Sequence, residues 1–269
     1  VYSGRVVVDG VKIVDAPARV LAGTVFKMGK SASIIFRGRT SMEGNEKAPI
    51  KFEPAVPGDL WGVVGIQGRG AKNSTLRHVR FRGGTGEQVG LTRFIAMLSI
   101  HDTSNIILDS LELSENSVED DVVHIIYSRD VDIRNIRMAG AMSDAIDIDI
   151  SSVTITGGRI EGSGNDAIDL MSSVATIRNI ELVGNGDKGI SVGEGSKVRI
   201  IESEIRANEI GVQSKDGSTA LIERSRFNGN RMQLSAYQKN WRYAKGGRIG
   251  VKDTTFTTTK GAGAFSADP

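Results

Sequence analysis

Residues 147–164 read DIDISSVTITGGRIEGSG, and residues 169–185 repeat the same phrase as DLMSSVATIRNIELVGN. From His124 onward, successive copies of the phrase start 23, 22, 22 and 22 residues apart. The other copies begin at or near Ser99, His124, Ser191, Gln213 and Ser235. A fixed period in this range is typical of a solenoid, in which each repeat forms one turn.

Within each repeat, Val, Ile and Thr alternate with polar residues over short stretches, as in Val131–Ile133, Val153–Ile155 and Val198–Ile200. This two-residue period predicts strands, and no window keeps the apolar face of a long helix. Three short strands in each repeat of about 22 residues predict an all-β fold, a parallel β-helix. The handedness of parallel crossovers makes it right-handed.

The same architecture is expected along the whole chain, so residues 1–269 are interpreted as a single β-helix domain. The segment 238–247, QKNWRYAKGG, interrupts the period and is predicted to be a loop, which either clamps an anionic chain or covers an edge of the solenoid. Residues 257–269 are rich in Gly, Ala, Ser and Thr and are expected to form a flexible tail. The chain begins in mid-pattern, so we expect it to be a piece of a longer protein.

Composition excludes several classes of function. There are 34 Lys and Arg against 32 Asp and Glu, and this near balance gives no general attraction to nucleic acid. Cysteine is absent, which excludes disulfides and thiol chemistry. No apolar run approaches the length of a membrane span. We expect a monomer without nucleic-acid or membrane partners.

Residues one turn apart should lie side by side, because neighbouring strands are about 4.8 Å apart. Alignment of the repeats gives three rows of neighbours. The first row is Ser99, His124, Asp147, Asp169, Ser191 and Gln213. The second is His101, Ile126, Asp149, Met171, Gly193, Lys215 and Tyr237. The third is Ala96, Asp121, Asp144, Asp166, Lys188 and Ile210. Asparagines recur near one turn at Asn116, Asn185, Asn208 and Asn230, and the spacing of the last three, 23 and 22 residues, suits an asparagine ladder.

Five aspartates converge on two neighbouring turns of these rows: Asp144, Asp147, Asp149, Asp166 and Asp169. In DAIDIDI, residues 144–150, the isoleucines have one parity and predict the core side, so the last two aspartates point outward. Like charges at this spacing repel. Either a carboxyl is protonated, or a cation lies among them, or Lys188 and Lys215 neutralise them.

Four phrases about one turn apart resemble, in order, the motifs of polygalacturonases, glycoside hydrolase family 28. They are Ser143–Asp147, Gly164–Asp169, Asp187–Gly193 and Gly211–Lys215. The resemblance implies acid and base carboxylates at Asp144 and Asp166, with Asp147 and Asp169 also in the catalytic set. This chain has Asn165, Lys188 and Gln213 where the family has aspartate, histidine and arginine, so the family's set is incomplete.

The phrase GDKGISVGEGS, residues 186–196, also resembles a motif of β-helix alginate lyases. That resemblance implies Lys188 as a base and calcium as the ion that neutralises a uronate carboxylate. Phrases from AGTVFKM to YQKNWRYAKGG look like the β-helix module of bacterial CotH-kinase-like proteins, which implies a piece of a larger surface protein.

Two further sets of candidate residues follow from the rows. Residues expected to bind substrate are His101, His124, Asn165, Lys215, Tyr237, Lys239 and Arg242. Oxygen-rich sites suit hard cations, so a calcium ion is expected among Asp147, Asp149 and Asp169. His124 beside Asp147 and Asp121 is also a candidate acid/base or metal ligand.

The sequence therefore predicts a secreted, periplasmic or cell-surface enzyme, a lyase or glycoside hydrolase that acts on an acidic polysaccharide. Two alternatives remain open. One is a non-catalytic glycan-binding or structural module of a larger bacterial surface protein. The other is a uronate C5-epimerase.

Overall fold

The computed structural model describes residues 1–118, 121–257 and 263–267, the last stretch as backbone only. The chain winds into a parallel β-solenoid of about 10 turns with about 23 residues per turn. Within the described ranges there is no α-helix, and the single helical element is the 3-10 turn Arg69–Ala71. The described part of the chain contains no helix with the length and hydropathy of a membrane span. The predicted all-β parallel β-helix is confirmed.

One face of the solenoid is an eleven-stranded sheet, called here the front sheet. Neighbouring strands in it are parallel and one turn apart. Its strands are Val11–Val14, Ser33–Phe36, Val64–Gln67, Ala96–His101, Asp121–Ile126, Ile146–Asp149, Ile168–Met171, Lys188–Gly193, Ile210–Lys215, Met232–Tyr237 and Gly263–Ala267.

The remaining parallel strands form a second sheet of eighteen strands, called here the back sheet. They are Arg5–Val8, Ala18–Leu21, Val25–Met28, Thr40–Glu43, Ile50–Pro54, Thr75–Arg77, Val79–Arg82, Ser104–Asp109, Glu112–Ser114, Arg129–Ala139, Ser152–Glu161, Val174–Val183, Lys197–Ile201, Glu204–Arg206, Thr219–Glu223, Arg226–Asn228, Arg248–Lys252 and Thr255–Thr257. An antiparallel hairpin, Glu87–Val89 with Thr92–Phe94, packs its Val89 and Phe94 against Ile35 and Val63.

Inward-facing apolar side chains of both sheets form one continuous core along the axis. On the front sheet, Ile146 and Ile148 are fully buried, as their parity predicts. Ile150 breaks the pattern, because the strand ends at Asp149 and the next residue turns outward with φ 47°. Its side chain is 46% exposed, so the prediction that all three isoleucines lie on the core side is wrong for Ile150.

Buried polar ladders join one turn to the next. The amide oxygen of Asn208 accepts hydrogen bonds from both N and Nδ2 of Asn185, at 2.9 and 2.7 Å. Asn208 in turn donates from N and Nδ2 to Oδ1 of Asn230, at 3.0 and 2.9 Å. The predicted asparagine ladder is therefore present at these three positions. A serine ladder, not identified from the sequence, runs beside the front sheet at Ser128, Ser151, Ser173, Ser196 and Ser218.

Replacing Asn208 with alanine is expected to lower the free energy of unfolding by about 2–3 kcal/mol. The change leaves the buried backbone N–H of Asn185 without its acceptor, and an unsatisfied buried polar group costs about 1–3 kcal/mol. Urea denaturation followed by circular dichroism measures the difference. Asn228→Ala, on the exposed side of a back-sheet strand, is the matched control and should stay within about 0.5 kcal/mol of the parent. Equal losses in the two variants would contradict a structural role for the ladder.

The segment 238–247 is a loop between Tyr237 and Arg248, as predicted. The carboxylate of Asp216 holds it against the preceding turn by accepting hydrogen bonds from the N–H groups of Lys239 and Asn240, both at 2.7 Å. Because strands follow the loop, it lies on the side of the solenoid and does not cover its end. The predicted flexible tail, 257–269, lies largely outside the described residues. Within it, Gly263–Ala267 pairs with the preceding front strand, and for the rest the tail stays a prediction.

Candidate functional site

The register of the front sheet brings the predicted row of polar residues together. His124 pairs with Asp147, Asp147 with Asp169, and Asp169 with Ser191. One strand further, Ser191 pairs with Gln213. Successive side chains of a strand point to opposite faces, so alternate residues face outward and the same position of each turn contributes to one surface.

Asp144 and Asp166, the two predicted acid/base residues, lie where the chain enters successive front strands. They are buried, with 9% and 2% of their surfaces exposed. Oδ1 of Asp144 accepts hydrogen bonds from the backbone N of Asp166 at 2.7 Å and from Nδ2 of Asn165 at 2.8 Å. Oδ1 of Asp166 accepts one from the backbone N of Lys188 at 2.9 Å. Each carboxyl group therefore also links its turn to the next.

Lys188 lies beside Asp166 and places a positive charge next to its carboxyl group. Its Nζ is 3.3 Å from Oδ1 of Asp166 and forms a second ion pair with Asp187. Burial disfavours the charged ammonium, but the two carboxylates outweigh it and raise the pKa of Lys188 above its ordinary value. The side chain is therefore a cation at neutral pH and not a free amine.

Two carboxyl groups of the cluster hold a proton at or near neutral pH. Burial raises the pKa of Asp147 to about 8, and the charges of Asp149, Asp169 and Asp144 add to the effect. Burial also raises the pKa of Asp166 to about 7, although Lys188 opposes the shift. The sequence analysis offered three explanations for the cluster: protonation, a bound cation or pairing with lysine. Protonation applies to Asp147, whereas protonation and pairing with Lys188 both apply to Asp166.

His101 and His124 form a buried pair beside the carboxyl groups. Nε2 of His101 is 3.3 Å from Nδ1 of His124, and the ring of Phe94 stacks on His101 at 4.8 Å. Burial, with the neighbouring imidazole, lowers the pKa of His101 to about 3, so this ring is neutral. The two histidines are only 7% and 5% exposed, comparable to the buried carboxyl groups beside them, and their binding of substrate stays a prediction.

The carboxylates fall into two clusters that cut across the predicted calcium set. Nε2 of His124 and oxygens of Asp147 and Asp149 lie within 4.8 Å of one another. Oxygens of Asp144, Asp166 and Asp169 form the second such cluster. The expected calcium ligands Asp147, Asp149 and Asp169 are thus divided between the two, and calcium stays a prediction.

The other predicted substrate-binding residues differ in accessibility. Lys215 is buried, and its Nζ donates a hydrogen bond to Oγ of Ser191 at 3.1 Å. Tyr237 is half-buried, whereas Lys239 and Arg242 are exposed on the loop. Trp241, which was not among the candidate site residues, is 84% exposed, and the Arg242 guanidinium lies 5.9 Å from its ring centre.

A groove of about 650 Å³ lies on the opposite face, along the back sheet. Its lining includes Arg39, Asp132, Thr154 and Thr176. Neither metal-type cluster and none of the buried acidic groups described above borders it. We take the front sheet as the candidate site on chemical grounds, because perturbed titratable groups cluster at functional sites.

Comparison with solved structures gives enzymes of the same architecture. A pectate lyase from Paenibacillus sp. 0602 is 12% identical, with a TM-score of 0.57 over 91% of this chain and 78% of that one. An alginate lyase from Paenibacillus sp. strain FPU-7 is 13% identical, with a TM-score of 0.45 over 95% of this chain and 98% of that one. At these identities the likeness concerns the fold alone. No curated protein sequence matches the chain.

The sequence also matches the model of a protein family. The model described as the right handed beta helix region matches residues 121–268, which include the whole carboxylate cluster and the asparagine ladder from Asn185 to Asn230. The match covers more than half of the chain, and its architecture is the one that the strands form. The chain therefore belongs to the right-handed β-helix family.

Proposed function

We propose that the chain cleaves an acidic polysaccharide bound along the front sheet, with Asp166 as the proton donor. The observation that carries the proposal is the near-neutral pKa of Asp166, about 7, beside a fixed cation. Asp169, whose carboxyl oxygen lies within 4.8 Å of one from Asp166, is proposed as the second carboxyl group, and Asp144 positions Asp166 by accepting the hydrogen bond of its backbone N–H.

A carboxylic acid that keeps its proton at neutral pH can give it to the oxygen of a glycosidic bond as that bond breaks. Glycoside hydrolysis requires such an acid together with a second, ionised carboxylate. Burial provides the first condition at Asp166, since it penalises the charged form. The turn-to-turn hydrogen bond to Lys188 N then fixes the orientation of the group.

The charge of Lys188 favours hydrolysis over β-elimination. A lyase that used Lys188 as its base would need a neutral amine, and the two ion pairs raise the pKa of this ammonium instead. A cation at this position instead suits the carboxylate of a uronate unit. In the proposed mechanism Lys188 therefore binds substrate charge and leaves the proton transfers to the aspartates.

The loop supports an anionic sugar chain as substrate. Lys239 and Arg242 are exposed there, beside the 84% exposed Trp241. An exposed indole offers an apolar face to a sugar ring, and the guanidinium pairs with carboxylates. The pectate lyase of the same fold is a precedent for a polysaccharide-active β-helix. A polysaccharide substrate would place the protein outside the cytoplasm, as a secreted, periplasmic or surface protein.

A second candidate is a non-catalytic glycan-binding module. The observation that favours it is the structural use of the two buried aspartates, whose Oδ1 atoms serve backbone N–H groups of the next turn. In that case the loop with Trp241 would bind the glycan, and the carboxyl cluster would only join the turns.

A product assay on acidic and neutral polysaccharides separates these functions. The proposed hydrolase is expected to release reducing ends without the ultraviolet absorbance of a 4,5-unsaturated product. A rise in that absorbance would instead indicate a lyase. Binding that Trp241→Ala weakens, with no product from any glycan in the panel, would replace the enzyme by the binding module.

A further inference from the structure

The geometry points to a site for a divalent transition-metal cation such as Zn²⁺, bound by Nε2 of His124 and one carboxylate oxygen each from Asp147 and Asp149. The site lies on the front sheet, next to the second carboxyl cluster of Asp144, Asp166 and Asp169. It goes beyond the proposed function, because its test measures cation binding in the absence of any glycan.

His124 is buried, and its Nε2 lacks a hydrogen-bond partner in the described part of the chain. Its side chain is 7% exposed, and Nε2 has no hydrogen-bond partner among the described residues. That nitrogen nevertheless faces Oδ2 of Asp149 at 3.5 Å and Oδ2 of Asp147 at 3.8 Å. Hydrogen bonds of this type are about 2.7–3.2 Å long, so neither carboxylate satisfies the ring nitrogen directly. A buried nitrogen that is aimed between two carboxyl groups and hydrogen-bonded to neither is suited to bind a cation between them.

The distances from Nε2 of His124 to the two carboxyl oxygens are close to those of a tetrahedral metal site. Zinc binds histidine nitrogen and carboxylate oxygen at about 2.0–2.2 Å in a tetrahedral arrangement, which places neighbouring ligand atoms roughly 3.4 Å apart. The observed 3.5 and 3.8 Å need only a small adjustment to reach that value. Calcium takes six to eight oxygen ligands, so a nitrogen in the set favours a transition metal.

The other ring nitrogen of His124, Nδ1, contacts a second buried histidine. Metal-binding histidines usually donate their other ring N–H to an acceptor that fixes the tautomer. Nδ1 of His124 lies 3.3 Å from Nε2 of His101. In the metal-binding tautomer of His124, Nδ1 is the donor of this contact and Nε2 of His101, whose ring is packed under Phe94, is the acceptor. This assignment leaves the lone pair of His124 Nε2 directed at the two carboxylates.

Three protein ligands leave a fourth position for water or a ligand oxygen, which is the arrangement of zinc sites with an open position. Asp147 and Asp149 are partly exposed, so that position faces solvent. The competing explanation is a metal-free cluster, in which protons on these side chains take the place of the cation. The two explanations differ in whether the chain binds a cation with fixed stoichiometry.

Isothermal titration calorimetry of the chelator-treated full chain with Zn²⁺ is the test, and Co²⁺ serves as a visible probe of coordination. We expect one equivalent of Zn²⁺ to bind, a Co²⁺ spectrum typical of tetrahedral coordination, and a higher Tm with Zn²⁺ present. His124→Gln and Asp149→Asn should each weaken Zn²⁺ binding at least 100-fold. Asp187→Asn, a carboxylate of the same face outside the site, is the matched control and should change it less than 3-fold. Circular dichroism confirms that each variant is folded.

Three results would overturn the proposal. The first is a titration with Zn²⁺ and Co²⁺ that shows no saturable binding, which would leave the metal-free cluster. The second is wild-type affinity in a folded His124→Gln variant. The third is saturable binding of Ca²⁺ alone, abolished by Asp169→Asn, which would support the calcium site predicted from the sequence.

Discussion

Replacing Asp166 with asparagine is expected to lower kcat by about 10²–10⁴-fold on any polysaccharide that the parent cleaves. Positioned general acid catalysis typically contributes this factor, and the amide cannot donate the acidic proton. The amide oxygen can still accept the hydrogen bond from Lys188 N, so the link between the turns survives. The expected loss is therefore in turnover, while the melting temperature should change little. Initial rates of reducing-end release, with a thermal melt of the same sample, measure both.

The pH profile separates an acid from a merely structural carboxyl group. The pKa of Asp166 is raised to about 7, so the group is protonated below that pH and loses its proton as the pH rises through it. Activity of the parent is therefore expected to fall on the alkaline side of about pH 7. Lys188 lowers the pKa of Asp166, so Lys188→Met should move this alkaline limb to higher pH while KM for an anionic glycan rises.

The matched control is Asp132→Asn, a carboxylate on a back-sheet strand. Its rate is expected to stay within about 2-fold of the parent. Parent-like turnover in Asp166→Asn would remove this residue from the chemistry. A loss of kcat in Lys188→Met as large as that in Asp166→Asn, with an unchanged alkaline limb of the pH profile, would instead indicate that Lys188 is the base of a lyase.

The period of the sequence was enough to predict the architecture and the neighbours on the front sheet. A repeat of 22 residues places Asp147 beside Asp169 and Ser191 because parallel strands stack in a fixed register, and the structure has these pairs. The period also located the asparagine ladder and the loop 238–247. These features depend only on which residues occupy the same position of successive turns.

The depth and the partners of the side chains were not predictable in the same way. Parity shows which side of a strand a residue faces, but Asp144 and Asp166 lie just before their strands, where the regular alternation does not yet apply. Their burial and their bonds to backbone N–H groups arise from that turn geometry. The contact of His101 with His124 depends on side-chain rotation across a 5.0 Å ring separation, for which the sequence carries no periodic signal.

The N-terminal third is irregular in sequence, and a stack of aromatic rings stabilises it. The ring of Phe52 is fully buried and lies between Phe26 at 4.4 Å and Phe81 at 5.0 Å, nearly parallel to both. The three residues are paired neighbours on successive back-sheet strands. The register of the back sheet therefore places a phenylalanine at the same position of three successive turns, although the three residues are unevenly spaced along the chain.

Phe52→Ala is accordingly expected to lower the free energy of unfolding by about 3–5 kcal/mol, because it removes a large buried side chain and leaves a cavity between two rings. Phe52→Leu retains most of the volume and should cost less than about 2 kcal/mol. Urea denaturation of the two variants measures the difference, and equal small losses would show that the stack does not hold these turns together. Each turn of a solenoid contacts only its neighbours, so the damage should begin locally. Limited proteolysis of Phe52→Ala should therefore cut the turns around Phe26 and Phe81 before it reaches those that carry Asp147 and Asp166.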